Sequence, residues 1–112
     1  MIVIHCRFRI PARHREAWIE SGKRMAIASR AEPGCLGYAF SFDIIDPEIA
    51  YAYEKWENEQ YLHDHEKTEH RLRRREEIRA MNLGYEEIRF FDVDPADERD
   101  MLSVAPRPGE KD

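Results

Sequence analysis

The sequence predicts an α+β domain whose strands and helical regions follow the order β-α-β-β-α-β. Three observations lead to this prediction. Apolar and polar residues alternate at the start of the chain, helical spacing follows the proline at position 11, and a second helical region lies between further alternating segments. Because each crossover must be right-handed, this order predicts a four-stranded antiparallel sheet with both helical regions on one face.

The first strand is predicted over residues 1–10, where one face is apolar. That face consists of Ile2, Ile4, Cys6, Phe8 and Ile10. Pro11 ends the strand, and a helix is predicted from there to about Ala31, where Pro33 and Gly34 stop it. The helical positions expected to point inward are Trp18, Gly22, Met25 and Ser29.

A central hairpin is predicted from a second strand at residues 35–43 and a third strand after the following turn. Antiparallel pairing through this turn places Tyr38 near Glu54. The same register places Leu36 near Trp56. The hairpin face beneath the helices is then expected to carry Leu36, Tyr38, Phe40, Phe42, Ala52, Glu54 and Trp56.

The second helical region is predicted from its N-cap at Asn58 to about Met81, and Thr68 can cap a second segment if the helix breaks there. Gly84 helps to stop it, and a fourth strand is predicted at residues 85–93. The inward stripe of this helical region is expected to consist of Tyr61, Leu62, His65, Leu72 and Ile78.

The order of these elements is the ferredoxin-like arrangement, and residues 1–93 are predicted to form it as one domain. A second domain is not expected in a chain of 112 residues. Residues 94–112 are predicted to form a C-terminal tail that is either disordered or packed on a partner subunit. The apolar residues that could contact the partner are Met101, Leu102 and Val104.

The composition excludes several classes of protein. The net charge is -5, and the arginines at positions 71 and 73–75 are flanked by glutamates, which predicts a solvated helix face and no nucleic-acid partner. No segment has the length and apolarity of a membrane span, and the start lacks the pattern of a signal peptide. Only Cys6 and Cys35 could form a disulfide, so reduced cysteines and a cytoplasmic location are expected.

The sheet face away from the helices is expected to mix charged and aromatic side chains. Its members are His5, Arg7, Arg9, Tyr51, Tyr53, Lys55 and Arg89. Such a face is unusual for a bare protein surface, because exposed aromatic groups favour association. A homodimer that packs sheet against sheet is therefore predicted.

Standard catalytic and phosphate-binding motifs are absent from the sequence. His63, His65 and His70 are the candidate metal ligands. On one continuous helix, ligands that share a face need a spacing of three or four residues, so these side chains are expected to diverge. No metal site is predicted.

Glu54 and His65 form the candidate pair for chemistry, because both lie on faces that are otherwise apolar. A buried carboxylate is costly without a partner, so a hydrogen bond between the two is expected. Such a pair is typical of a general base, since the carboxylate fixes the tautomer of the imidazole. A purely structural Glu–His pair, or a Glu54 bonded only to backbone and tyrosine, is the alternative.

Several short motifs together resemble the antibiotic biosynthesis monooxygenase domain, over residues 1 to about 93. They are Glu32-Pro33-Gly34-Cys35 with Tyr38, then Tyr53-Glu54-Lys55-Trp56, then His65 with Thr68-Glu69-His70. The resemblance implies a ferredoxin-like dimer, the dimeric α/β barrel. It also implies oxidation of a quinol, anthrone or similar small phenol by O₂ without a metal, flavin or other prosthetic group.

The resemblance also implies roles for individual residues. His65, oriented by Glu54, would accept the proton of the substrate, and Trp56 and Tyr38 would donate hydrogen bonds to the phenolate. The wall of the substrate pocket would consist of Phe40, Tyr61 and Leu62. The alternative is a dimeric protein of the same fold that binds a ligand or a partner without catalysis.

Overall fold

The computed structural model describes residues 1–99 and residue 109, and it confirms the predicted α+β architecture. The elements are β1 (Ile2–Arg9), α1 (Arg15–Arg30), β2 (Cys35–Phe42), β3 (Ile49–Trp56), α2 (Glu59–Glu66), α3 (Glu69–Ala80) and β4 (Tyr85–Asp92). Short 3₁₀ turns lie between β1 and α1 (Ala12–His14) and after β4 (Pro95–Asp97). The strands form one antiparallel sheet in the order β2-β3-β1-β4.

The second helical region is broken between α2 and α3 by its own caps. Asn58 begins α2 by accepting a hydrogen bond from the backbone N–H of Tyr61 (3.1 Å). Thr68 Oγ1 donates to the carbonyl of His65 (2.7 Å) and accepts from the backbone N–H of Arg71 (3.3 Å), so it closes α2 and opens α3. The break therefore resets the helical phase.

This change of phase overturns two predictions about α3. Leu72, predicted to point inward, is 47% exposed, whereas Arg74 in the predicted solvated arginine face is 3% exposed. Ile78 remains packed against the core, as predicted, because it lies one turn after Arg74 on the same face. The arginine run is therefore divided: Arg73 and Arg75 are exposed to solvent, whereas Arg74 belongs to the core.

The core lies between the sheet and the helices and follows the predicted pattern of β1 and α1. The predicted inward residues of these two elements are all buried: Ile2, Ile4, Cys6, Phe8, Ile10, Trp18, Gly22, Met25 and Ser29. The predicted pairing of Tyr38 with Glu54 is also confirmed. The pairing of Leu36 with Trp56 is wrong, because the register shifts at this point and Cys35 faces Trp56 instead. Leu36 is consequently exposed.

A tight turn between α1 and β2 contains Gly34, whose φ of +76° lies in the left-handed region. The carbonyl of Gly34 accepts a hydrogen bond from the backbone N–H of Glu57 (2.8 Å), and the ring of Tyr61 packs directly on the glycine. The turn thus joins the start of β2 to the end of β3 and to α2. It also fixes the direction of Glu32, which precedes it by two residues.

β4 is exposed along its whole length, and on the sheet face opposite the helices the segment that follows β4 reaches β3. The side chain of Lys55 on that face pairs with Glu98 (2.7 Å). The tail residues predicted to contact a partner, Met101, Leu102 and Val104, lie outside the described residues. Within residues 1–99 and 109, no helix has the combination of length and apolarity needed to cross a membrane.

Cys6 lies in the centre of the sheet, and its chemistry can be predicted from its surroundings. Burial and the negative charge of Glu54 raise the pKa of its thiol to about 12, so only about one thiol in 10⁴ is ionised at pH 8. We expect a thiol reagent such as DTNB to leave Cys6 unmodified in the native protein and to react slowly with the half-buried Cys35. In the Cys35→Ser variant no thiol should react before denaturant is added. Rapid labelling of that variant would contradict the prediction.

Candidate active site

A small cavity of about 20 Å³ lies between the sheet and α3. Its polar lining consists of Tyr38, Glu54, Arg71, Arg74 and Tyr85, and its apolar lining consists of Cys6, Phe8, Phe40, Ala52 and Ile78. This volume is sufficient for about one water molecule. A carboxylate, two guanidinium groups and two tyrosine hydroxyl groups therefore line a cavity that is otherwise apolar.

Glu54 projects from β3 into this cavity and is largely buried. Its Oε1 accepts a hydrogen bond from the indole N–H of Trp56 (3.0 Å), which lies two residues further along the same face of the strand. Burial raises the pKa of the Glu54 carboxyl, although the bond from Trp56 and the neighbouring His65 oppose part of the rise. A carboxylate with a raised pKa is better matched to accept a proton from a phenol.

His65 lies behind Glu54 and has no exposed surface. Its Nδ1 is 2.6 Å from Oε2 of Glu32, whereas its Nε2 is 3.8 Å from Oε1 of Glu54. The predicted hydrogen bond between Glu54 and His65 is therefore wrong, because Trp56 occupies the Glu54 oxygen and the turn at Gly34 brings Glu32 to the ring.

The contact with Glu32 places a proton on Nδ1 of His65, because a carboxylate can only accept. In the neutral ring, Nε2 is then the acceptor. Nε2 is buried and has no hydrogen-bond partner among the described residues. It faces Glu54, so the two groups form an acid–base pair without a direct bond.

Arg74 and Arg71 bring positive charge to the cavity from α3. The guanidinium of Arg74 lies 4.2 Å from the ring centroid of Trp18 and 4.7 Å from that of Phe40, and burial lowers its pKa to about 10. Arg71 is half-buried and lies 3.4 Å from Glu66. These cations can hold an anionic oxygen in the cavity. Sequence reasoning missed them, although Arg74 precedes the predicted inward residue Ile78 by one helical turn.

The remaining predicted site residues divide into two groups. Tyr38 and Phe40 line the cavity, and burial followed by the charge of Glu54 raises the pKa of the Tyr38 hydroxyl. Trp56 is fully buried and its N–H is already bound to Glu54, so it positions that carboxylate. Tyr61 and Leu62 do not line the cavity: Tyr61 packs on Gly34, and Leu62 belongs to the core.

Three side chains near the cavity have the chemistry of metal ligands. Donor atoms of Glu32, His65 and His70 lie within 4.8 Å of one another, and no other such group of three occurs among residues 1–99 and 109. The sequence predicted that His63, His65 and His70 point in different directions. This prediction is correct for His63, which is exposed beside Glu59. It is wrong for His65 and His70, because the break between α2 and α3 turns both side chains toward Glu32.

Replacing Arg74 by methionine should cost little stability. The Nη2 atom of Arg74 is buried without a partner among the described residues, and Nη1 donates only to the carbonyl of Trp18 (3.3 Å), which lies within α1. Methionine can fill the same apolar site, and apolar replacements of buried charges are often neutral or stabilising. We expect the free energy of unfolding in urea to stay within about 1 kcal/mol of the wild type or to rise. A loss of more than about 3 kcal/mol would show that the buried cation is a net stabiliser.

Comparison with known proteins matches most of the chain to one family. The family model described as antibiotic biosynthesis monooxygenase matches residues 1–77. No curated protein matches the chain.

Solved structures share the fold. A Deinococcus radiodurans protein, provisionally assigned as an antibiotic biosynthesis monooxygenase, is 23% identical, with 88% of this chain and 98% of that chain covered and a TM-score of 0.79. A conserved Bacteroides thetaiotaomicron protein of unknown function, described as a possible oxidoreductase, is 25% identical, with 82% and 96% covered and a TM-score of 0.76. PA3566 from Pseudomonas aeruginosa is 27% identical, with 82% and 90% covered and a TM-score of 0.68. With the family model matching more than half of its length, the chain belongs to the antibiotic biosynthesis monooxygenase family.

Proposed function

We propose that this protein is a monooxygenase that uses O₂ to oxidise a small electron-rich phenol of the quinol or anthrone type. The family supports oxygen chemistry, and one observation in the structure supports the mechanism. The buried carboxylate of Glu54 lines a cavity that also contains two guanidinium groups, and Nε2 of His65, which has no partner within residues 1–99 and 109, lies 3.8 Å behind it. This arrangement suits the removal of a proton and the retention of the resulting anion.

In the proposed first step, Glu54 takes the proton of the substrate. The hydrogen bond from Trp56 holds the carboxylate in place, and Nε2 of His65 can take the proton onward once Glu54 is protonated. Arg71 and Arg74 then face the phenolate oxygen from the opposite wall of the cavity. The low polarity of the rest of the lining strengthens these charge interactions.

The electrons for the reaction come from the substrate in this proposal. For an anthrone, the proton leaves the ring CH₂, which becomes a C–H carbon conjugated to the phenolate. One electron then passes to O₂, and the two radicals join in a C–O bond at that carbon. The peroxide oxygen takes up the proton held by the Glu54–His65 pair. Loss of water then breaks the O–O bond and the remaining C–H bond to leave a ketone. One oxygen atom enters the product and the other leaves as water, so no metal or prosthetic group is required as the electron source.

The cavity must widen to admit an aromatic ring, since its volume of about 20 Å³ is far below that of a phenol. Tyr85 on β4 is 45% exposed and is the least buried residue of the lining. Arg71 is half-buried beside it. We propose that these two side chains swing outward when substrate enters, because the other walls belong to the core.

Oxygen consumption tests this function. Purified protein, treated with a chelator and shown by elemental analysis and absorbance to hold no metal or flavin, should consume O₂ with at least one member of a panel of quinols and anthrones. The His65→Ala variant should be slower with the same substrate. No consumption with any electron-rich phenol would contradict the proposal, and activity that disappears with the chelator would contradict its cofactor-free form.

We also propose a homodimer that forms through the open sheet face. That face combines the aromatic rings of Tyr53 and Phe91, both exposed, with the charges of Arg7 and Arg89. Sedimentation at micromolar concentration should give twice the chain mass, and Tyr53→Asp should shift the equilibrium to the monomer. A wild-type monomer at this concentration would contradict the dimer.

A further inference from the structure

The cluster of Glu32, His65 and His70 has a geometry that the proposed oxidation does not use. Three separate elements supply the cluster: the turn after α1, the last turn of α2 and the first turn of α3. Oε2 of Glu32 lies 2.6 Å from Nδ1 of His65 and 2.8 Å from Nε2 of His70. One carboxylate oxygen therefore stands between two imidazole nitrogens, and all three donor atoms lie within 4.8 Å of one another.

We propose that Glu32, His65 and His70 bind a divalent transition metal ion of the Zn²⁺ class. Two imidazoles and one carboxylate form a ligand set typical of Zn²⁺, Co²⁺ or Fe²⁺, whereas Mg²⁺ and Ca²⁺ prefer oxygen ligands alone. Three protein ligands leave at least one coordination position for water. The ion would replace the two N–H protons that now point at Glu32.

The second nitrogen of His65, Nε2, supports this site independently. A histidine that binds a metal through Nδ1 must carry its proton on Nε2, and that N–H is usually directed at a carboxylate or carbonyl. Nε2 of His65 is buried, has no partner among the described residues and faces Oε1 of Glu54 at 3.8 Å. Metal binding at Nδ1 would therefore leave the proton of the neutral ring on Nε2, where it can interact with Glu54.

The solvent side of the site is at His70, where an ion can enter. Tetrahedral Zn²⁺ with bonds of about 2.0–2.1 Å places its ligand atoms about 3.3 Å apart, so the distances of Glu32 from His65 (2.6 Å) and His70 (2.8 Å) must widen by about 0.5–0.7 Å. His70 can move, because its side chain is 26% exposed and borders a cavity of about 230 Å³ between α1 and α3. Glu32 lies in a turn outside the helix.

The proposed ion would be separate from the substrate. None of the three ligands lines the cavity beside Glu54, so the ion would not touch a bound phenol. It would tie the turn at Gly34 to α2 and α3 and should raise the melting temperature. It would also hold a proton on Nε2 of His65, so metal loading and proton acceptance by His65 exclude each other. Metal binding itself does not depend on the proposed oxidation.

Titration of the metal-stripped full-length protein with Zn²⁺ and with Co²⁺ tests the site. Calorimetry should give one ion per chain, and Co²⁺ should show the strong visible absorption of a site with four or five ligands. His70→Gln should weaken binding by at least about 10- to 100-fold, because it removes a direct ligand and even the loss of an outer-shell partner costs that much. Glu32→Gln should weaken it similarly, whereas His63→Gln, on the exposed face of α2, should not change it.

The outcomes separate this proposal from the proposed function. Absence of Zn²⁺ and Co²⁺ binding, or equal binding by the wild type and His70→Gln, would overturn the metal site whatever the oxygenase activity is. Circular dichroism of each variant checks folding. If Glu32→Gln does not fold, the comparison of His70→Gln with His63→Gln still tests whether the cluster binds the ion. A melting temperature that rises with Zn²⁺ in the wild type and not in His70→Gln would support the site even if no phenol is oxidised.

Discussion

Glu54→Gln should lower the rate of phenol-dependent O₂ consumption by at least about 100-fold and leave the fold intact. Glutamine has the size of glutamate, and its amide oxygen can still accept the hydrogen bond from Trp56. It cannot accept a proton from the substrate. The effect should fall on kcat, because the cavity keeps its shape and its two arginines.

Stability measurements separate this loss from unfolding. Burial raises the pKa of the Glu54 carboxyl, which shows that its charged form is disfavoured in the folded protein. The neutral glutamine should therefore leave the free energy of unfolding in urea unchanged or higher. Glu59→Gln, an exposed carboxylate on α2, is the matched control and should keep full activity. A Glu54→Gln protein with the rate of the wild type would exclude Glu54 as the proton acceptor.

Gly34→Ala should lower the free energy of unfolding by at least about 3 kcal/mol. A Cβ at this position would lie 2.2 Å from two ring atoms of Tyr61, and the φ of +76° is strained for any residue with a side chain. Neither the ring nor the backbone can move freely, because the turn is bonded to Glu57 and Tyr61 is held in the first turn of α2 by its bond to Asn58. Urea denaturation measures the change.

The same substitution in a Tyr61→Ala protein separates the two causes of this loss of stability, steric overlap and backbone strain. In a Tyr61→Ala protein the steric overlap is absent, so adding Gly34→Ala should cost only the backbone strain of about 1–2 kcal/mol. Gly84→Ala is the control, because a Cβ at position 84 would meet nothing within 4 Å. Equal, small effects at positions 34 and 84 would show that the turn adjusts to the side chain.

Alternation and helical spacing were sufficient to predict the elements and most of the core. Ile2, Cys6 and Phe8 on β1 and Trp18 and Met25 on α1 are buried as their periods require. The errors occur where the period is interrupted. The register shift near Cys35 exposes Leu36, and the break at Thr68 exposes Leu72 while it buries Arg74.

The site could be predicted only in part, because its contacts join distant segments. Periodicity placed Glu54 and His65 on facing surfaces, but it could not show that a turn 33 residues before His65 supplies the bonded carboxylate. Glu32 was part of a recognised motif without an assigned role. The hydrogen bond between Trp56 and Glu54 could have been predicted from the sequence, since residues two apart on a strand share a face.

The fate of isotopically labelled oxygen tests the proposed oxidation most directly. Metal-free protein is supplied with ¹⁸O₂ and the most reactive phenol of the panel, and the product is analysed by mass spectrometry. We expect one labelled oxygen atom in each product molecule, and we expect the label to vanish with the activity in Glu54→Gln. A product labelled only from water, or no product at all, would contradict the assignment of this protein as a monooxygenase.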